Sequence, residues 1–199
     1  MGEVLNQGFE LQVRGEVFRN RDWLVALWGN MAHNKNKILK ISDSQRAYNQ
    51  RVKEFYENIV NEEYGNGYEP QYAVPISQYE EGQSLTSIWA VKSLGIDPTT
   101  GKEIFLNRDG SVSDTWNATQ EVAVGNTEPK FNGSIGFNAA YKQWSLFAAF
   151  QYEWGGQEYN QTLVDRVENA RIQYQNVDLR VLTDRWKQPG DIAQFKDIK

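Results

Sequence analysis

Alternating hydrophobic and polar positions are clearest in residues 144–154, where they predict a β-strand with two different faces. Every second side chain of this stretch is apolar or aromatic: Trp144, Leu146, Ala148, Phe150, Tyr152 and Trp154. Ten steps of about 3.3 Å give a length of about 33 Å, which a tilt of about 40° reduces to a height of about 25 Å. This height, with large aromatics at both ends, is typical of a strand in an outer-membrane β-barrel. A buried strand of a soluble β-sandwich fits the alternation equally well.

The same alternation predicts two hairpins, at residues 7–33 and 131–154. In the first strand one face is apolar and consists of Phe9, Leu11, Val13, Gly15 and Val17. The other face contains Arg14 and is polar. If the hairpin belongs to a barrel, we expect Val13 to face lipid and Arg14 to face the interior.

Short turns join the strands of each hairpin. They are predicted at Arg19–Asp22 and at Lys142-Gln143, where the alternation is interrupted by polar residues. Trp23 and Trp144 follow these turns directly. An indole ring at such a place suits a membrane interface, so both residues are predicted to anchor the strand ends.

Two long polar segments, 34–130 and 155–199, are predicted to be loops. Short turns at one end of the strands and long loops at the other are typical of outer-membrane barrels, in which the long loops are extracellular. In the first loop, helical spacing after Ser42 predicts a helix that ends near Gly65, and Asp97-Pro98 and Asp109-Gly110 predict turns of a small hairpin. In the second, short helices are predicted around 163–170 and 178–186.

Composition excludes several functions. A net charge of −5 and a pI near 5.1 give no basic surface for nucleic acid. The chain has no cysteine and a single histidine, His33, so thiolate metal sites and Ser/His catalysis are not predicted. The adjacent Glu80 and Glu81 are interpreted as solvated loop residues. We therefore predict neither an enzyme nor a cofactor or metal site.

A series of short motifs is spread over the loops. The first loop contains Asn34-Lys-Asn-Lys-Ile38, Tyr79-Glu-Glu-Gly82, Ser87-Ile-Trp-Ala-Val91, Leu94-Gly-Ile-Asp-Pro98, Thr100-Gly-Lys-Glu-Ile-Phe105 and Gly125-Asn-Thr-Glu-Pro-Lys130. The second contains Gly155-Gly-Gln-Glu-Tyr-Asn160, Asp165-Arg-Val-Glu-Asn169 and Asp184-Arg-Trp-Lys-Gln-Pro-Gly-Asp191. In this order they resemble the late barrel region of the SusC/RagA-type TonB-dependent outer-membrane transporters of the Bacteroidetes.

The resemblance implies that residues 1–199 are part of one 22-stranded barrel domain in the bacterial outer membrane, with lipid around it. The plug, the TonB-contacting segment and most strands of such a transporter would lie outside this chain. The resemblance also implies import of an oligosaccharide or peptide with a SusD-like surface lipoprotein as partner, energised by the TonB complex.

Loop and rim aromatics are the candidates for contact with a substrate, because a flat ring fits the C–H side of a sugar. They are Trp89, Trp116, Tyr152, Trp154 and Tyr159. The alternative for each is packing within the loops or anchoring of the barrel rim. For the whole chain, the alternative function is a soluble carbohydrate-binding β-sandwich module, which would cover its apolar face with a second sheet.

The loop region 71–127 is expected to lie outside the cell, where it would form part of the substrate cavity or the seat of the lipoprotein.

Overall fold

The computed structural model describes residues 1–61, 78–170, 172–174 and 176–197. They form two compact units. The first, here called the sheet unit, consists of Met1–Ser42, Tyr79–Thr86 and Asn126–Gln157. The second, the loop unit, is drawn from Asp43–Gln78, Ser87–Gly125 and Glu158–Lys199. The predicted helix end near Gly65 lies outside the described residues.

The sheet unit is built on four antiparallel strands. Their bounds are Glu3–Arg19 (β1), Trp23–Lys40 (β2), Phe131–Tyr141 (β8) and Trp144–Trp154 (β9). They lie in the order β1-β2-β8-β9. The two predicted hairpins are thus adjacent, although about 90 residues separate them in the chain.

The strand register aligns apolar residues with apolar or small residues on one side of the sheet. Val13 pairs with Gly29, Gly29 with Ile135, and Ile135 with Phe150, so all four lie on one side of the sheet. This side is called the apolar face. Arg14 pairs with Trp28 and lies on the opposite side, called the polar face. The predicted alternation is therefore present in the fold.

The first hairpin is longer than the predicted 7–33. β1 begins at Glu3 and β2 continues to Lys40, because the polar residues beyond His33 keep pairing, as in Asn36 with Asn6. A register shift between Glu16 and Phe18 leaves Val17 without a partner and sets Phe18 opposite Val25. The bulge changes the phase of the alternation, so Phe18 takes the place on the apolar face that was expected for Val17.

Glycines in β8 allow two close aromatic contacts. On the polar face, a Cβ added at Gly136 would lie 2.5 Å from the Trp28 ring. On the apolar face, a Cβ at Gly133 would lie 2.7 Å from the Tyr152 hydroxyl. That hydroxyl donates a hydrogen bond of 3.1 Å to the carbonyl of Asn30, one strand further on. Both rings thus cover the β8 backbone where a side chain would exclude them.

The loop unit contains short elements. They are α1 (Asp43–Asn61), β3 (Ser87–Ala90), β4 (Lys92–Ile96), β5 (Glu103–Leu106), β6 (Val112–Ser113), β7 (Val122–Asn126), α2 (Gln161–Leu163) and α3 (Arg180–Thr183). A 3₁₀ turn precedes β7 and a π-helical turn follows α2. β4, β5 and β6 form the predicted small hairpin region, with turns at Asp97–Gly101 and Asn107–Gly110. None of the helices in the described ranges is long and apolar enough to cross a membrane.

We predict that the two faces of β1 differ in their tolerance of charge. With the apolar face in lipid, as the SusC/RagA-type resemblance implies, Val13→Arg in the full-length protein is expected to cost about 2 to 4 kcal/mol, because it would place a cation among acyl chains. Arg14→Gln on the polar face serves as the control and should cost little. Thermal unfolding in detergent and in lipid measures both. Equal destabilisation by the two substitutions would contradict the face assignment.

We also predict that Gly136→Ala destabilises the sheet by about 1 to 3 kcal/mol, because the new methyl would force the Trp28 ring and the Ala148 carbonyl apart. Gly15→Ala is the matched control, since no atom lies within 4 Å of a Cβ built there. Denaturant unfolding of the full-length protein tests the pair. A loss as large for Gly15→Ala would show that the close contact at Gly136 is irrelevant.

Candidate functional site

An aromatic row crosses all four strands of the sheet on the apolar face, at the end from which the long loops leave. The ring centroids are 5.6 Å apart for Phe9 and His33, 5.2 Å for His33 and Phe131, and 5.8 Å for Phe131 and Trp154. His33 Nδ1 donates a hydrogen bond of 2.5 Å to the carbonyl of Lys130, which fixes the imidazole within the row. This set is called the loop-side row.

A second aromatic row lies at the other end of the same face, beside the tight turns. Trp23 and Tyr141 have ring centroids 4.5 Å apart, and Tyr141 pairs with Trp144. This turn-side row contains both tryptophans that the sequence placed at strand ends. Ten residue steps separate Trp144 from Trp154, so the two rows are about 25 Å apart in height for a strand tilt of about 40°.

Between the rows the apolar face is open to its surroundings. Val13 is 61% exposed, Leu146 60% and Phe150 62%. A β-sandwich would bury these side chains under a second sheet, and in the described part of the chain they remain exposed. A face of this height, apolar between two aromatic rows, matches the hydrocarbon layer and the two interfaces of a membrane.

The polar face combines hydrogen-bonding side chains with one aromatic pair. Asn30 Oδ1 accepts a hydrogen bond of 2.7 Å from the amide of Ser134. Trp28 and Phe147 stack nearly parallel, with centroids 6.2 Å apart. This face can thus contact water or polar protein surface over most of its area.

A hydrogen-bond network connects β2 to the bases of the loops. Asn36 is buried, and its Oδ1 accepts hydrogen bonds of 2.6 Å from Ser84 Oγ and 2.8 Å from the amide of Leu85. Its Nδ2 donates to Glu128 at 2.5 Å. Thr86 Oγ1 donates to Asn126 Oδ1 at 2.6 Å. These bonds bring the two ends of the long first loop together.

The five candidate aromatics fall in different environments. Trp89 is only 2% exposed in β3, with the Arg108 guanidinium 6.0 Å from its ring centroid, so it packs within the loop unit. Trp116 is half-buried. Tyr152 and Trp154 lie on the apolar face, the latter in the loop-side row. Tyr159 is 37% exposed in the loop unit. Two of the five thus belong to the sheet unit and three to the loop unit.

The sequence alone did not indicate that Phe9, His33 and Phe131 form one set. Each stands at an apolar-face position, but the strand register that aligns them joins segments far apart in the chain. The signal available in the sequence was the aromatic or imidazole ring near the loop end of each of the four strands.

Carboxylates of the loop unit have perturbed pKa values. Burial raises the pKa of Glu121 to about 7, against a hydrogen bond from Gln78 and the charge of Arg108, which lower it. Burial, with the charge of Glu103, raises the pKa of Glu168. Burial and the negative charge of Glu168 likewise raise the pKa of Tyr159. No group of three or more side chains suited to a metal ion occurs among the described residues.

The raised pKa of Glu121 predicts a pH dependence of the loop unit. From its ordinary value of 4.5 to about 7, the folded state holds a proton that the unfolded state has released. The contribution of Glu121 to stability should therefore be greatest below pH 4.5, fall as the pH rises to 7, and then remain level. At about 1.4 kcal/mol per pKa unit, the total change is at most about 3 to 4 kcal/mol.

The substitution Glu121→Gln should abolish this loss and keep an acceptor for Gln78. Hydrogen exchange of the β7 amides in the full-length protein measures the effect, with wild type and variant compared at each pH. The variant should gain stability over wild type at pH 8 and show little difference at pH 4. A gain of the same size at both pH values would contradict the assignment.

Known proteins resemble this chain in sequence and in fold. No family model matches the chain. A TonB-dependent receptor of Formosa agariphila is 25% identical over 169 residues, or 83% of this chain. Two solved structures are similar to this chain in fold. The RagAB peptide transporter has a TM-score of 0.68 over 99% of this chain, and the RagAB peptide importer in a closed-closed state has a TM-score of 0.62 over 98% of it. Both are 20% identical in sequence.

The chain spans 16% of the Formosa receptor and 20% and 21% of the two structurally matched chains. The matched proteins are named as a receptor and as a peptide transporter and importer, in agreement with the prediction that this chain is not an enzyme. The predicted fold class, an all-β segment of an antiparallel barrel with helices in its loops, is confirmed by the likeness to RagAB. In sequence, 83% of the chain resembles a segment of a TonB-dependent receptor, and in fold 99% of it resembles a segment of the RagAB transporter, in agreement with the resemblance predicted from the loop motifs.

Proposed function

We propose that this chain forms four adjacent strands in the wall of an outer-membrane TonB-dependent transporter, with its apolar face in lipid. The observation that carries the proposal is the continuous apolar face between the loop-side and turn-side rows. A protein that kept this face in water would expose a large apolar patch, which soluble monomers avoid. The polar face then lines the barrel interior.

In this proposal the short turns lie in the periplasm and the long loops outside the cell. The turns at Asn20–Asp22 and Lys142-Gln143 lie at the turn-side row. The chain leaves the sheet after Lys40 and after Trp154, at the ends of the strands opposite these turns. The transported molecule is a peptide or an oligosaccharide, and a SusD-like lipoprotein covers the extracellular side. The similarity to a peptide transporter favours the peptide. Energy comes from the TonB complex through other parts of the transporter.

In this proposal, residues of the loop unit contact the substrate or the lipoprotein. Among the candidate aromatics, Trp116 and Tyr159 remain candidates for these contacts, since both have exposed surface in the loop unit. Tyr152 and Trp154 are better suited to the membrane interface, because they lie on the apolar face. Trp89 stabilises the fold of the loop unit from within.

We predict that residues 87–125 are needed for uptake but not for barrel assembly. Their flanks are adjacent, because the amide of Thr127 donates to the Thr86 carbonyl at 3.0 Å, so a short Gly-Ser linker can replace the segment. The deleted full-length transporter should reach the outer membrane at normal abundance, while growth on the transported polymer or peptide falls. Normal uptake by a correctly inserted deletion would remove the proposed role.

Antibody labelling of inserted epitope tags tests which end of the strands faces the outside of the cell. An epitope tag inserted at Asp109, in the exposed turn between β5 and β6, should be labelled by antibody on intact cells. A tag in the turn at Lys142-Gln143 is the matched control and should be labelled only after the outer membrane is permeabilised. The reverse pattern would invert the proposed topology.

A further inference from the structure

Beyond the loop-side row, β2 carries a short series of cations on the side of the sheet that bears the apolar face. The pairing continues without a shift from His33 with Phe9 through Lys35 with Gln7 to Lys37 with Leu5. Side chains two residues apart in a strand share a face, so Lys35 and Lys37 follow His33 directly on the lipid side. Both lysines are exposed, whereas Asn36 and Ile38 between and after them are buried on the other side.

In the part of the chain that the structure describes, no ion pair neutralises these lysines. Glu128, which lies near this part of β2, is bound instead by Asn34 at 2.8 Å and Asn36 at 2.5 Å, on the opposite side from the lysines. In a chain of net charge −5, two neighbouring cations outside the ion pairs of the described residues form a local positive surface.

The height of the lysines relative to the membrane follows from strand geometry. Each pair of residues advances about 6.6 Å along the strand, or about 5 Å in height at a tilt of about 40°. Lys35 and Lys37 therefore stand about 5 and 10 Å beyond the loop-side row. The headgroup layer on each side of a bilayer is about 5 to 8 Å thick, and lysine side chains extend several ångströms to reach charged partners.

We propose that Lys35 and Lys37 bind phosphate groups of the lipid leaflet next to the loop-side row. This inference rests on the proposed function, which makes that leaflet the outer one, so the ligand is a phosphorylated glycolipid. The aromatic row holds the acyl-chain boundary, and the two ammonium groups meet the phosphates immediately above it. The interaction would attach this part of the barrel wall to its surrounding lipid.

The test uses the full-length transporter in detergent micelles, titrated with bisphosphorylated lipid A and followed by native mass spectrometry. At about fivefold in affinity per lysine near an anionic surface, Lys35→Gln/Lys37→Gln should bind about 30-fold more weakly than wild type. Lys53→Gln/Lys187→Gln is the matched control, because it removes the same charge from exposed positions of the loop unit. It should bind lipid A as wild type does.

Two further arms identify the ligand chemistry. Dephosphorylated lipid A should bind wild type and the Lys35/Lys37 variant equally, since only the phosphates meet the lysines. Inorganic phosphate at the same concentration should not displace lipid A from wild type. Equal lipid A affinity of wild type and the Lys35/Lys37 variant would overturn the inference, as would an equal loss in the control variant or displacement by free phosphate.

Failure of the proposed function has a different signature. In nanodiscs, Val13→Arg and Arg14→Gln would then be equally stable, and the tryptophans of the two aromatic rows would show no quenching by brominated lipid. That result would show that the apolar face does not contact lipid, and it would overturn the inference as well. Normal quenching with unchanged lipid A affinity would overturn the inference alone.

Discussion

The strand register is the constraint on which the rest of the structure depends. Because side chains alternate between faces, a slip of one residue between β2 and β8 would move every apolar residue of one hairpin to the polar side. The observed register instead aligns Val13, Gly29, Ile135 and Phe150 across the sheet. Tight turns help to set it within each hairpin. Asn20 Oδ1 accepts hydrogen bonds from the amides of Asp22 and Trp23, and Lys142 takes a positive φ of 52°.

Between the hairpins there is no turn to set the register, and packing takes its place. Trp28 from β2 and Tyr152 from β9 both lie over glycines of β8, one on each face. A shifted register would place a ring against a side chain instead of a glycine, and the Tyr152 hydroxyl would lose the Asn30 carbonyl. The His33 bond to the Lys130 carbonyl acts in the same way at the loop end. These contacts join residues about 100 positions apart and hold two distant hairpins in one sheet.

The loop unit is organised by buried polar groups as much as by apolar packing. Its cluster of Val167, Ala170, Val181 and Phe195 is small. Beside it, the buried Arg185 donates to the carbonyls of Val167, Glu168 and Lys196, and so joins the π-helical turn to the last segment of the chain. Arg108 acts similarly, since its guanidinium binds the Glu121 carbonyl and lies against Trp89. Guanidinium groups bonded to backbone carbonyls can define loop conformations that a small apolar core would leave open.

The sequence by itself determined the strands, their faces, the tight turns and the tryptophans next to them, because alternation and turn residues are local properties. It also indicated the SusC/RagA-type resemblance through the order of its loop motifs. The tertiary structure decided what depends on distant partners. Trp89 is buried within the loop unit, with the Arg108 guanidinium beside its ring, and His33 belongs to an aromatic row because the register sets it between Phe9 and Phe131. The extension of β2 to Lys40 depends in the same way on pairing with β1, whose polar residues carry no periodic apolar signal there.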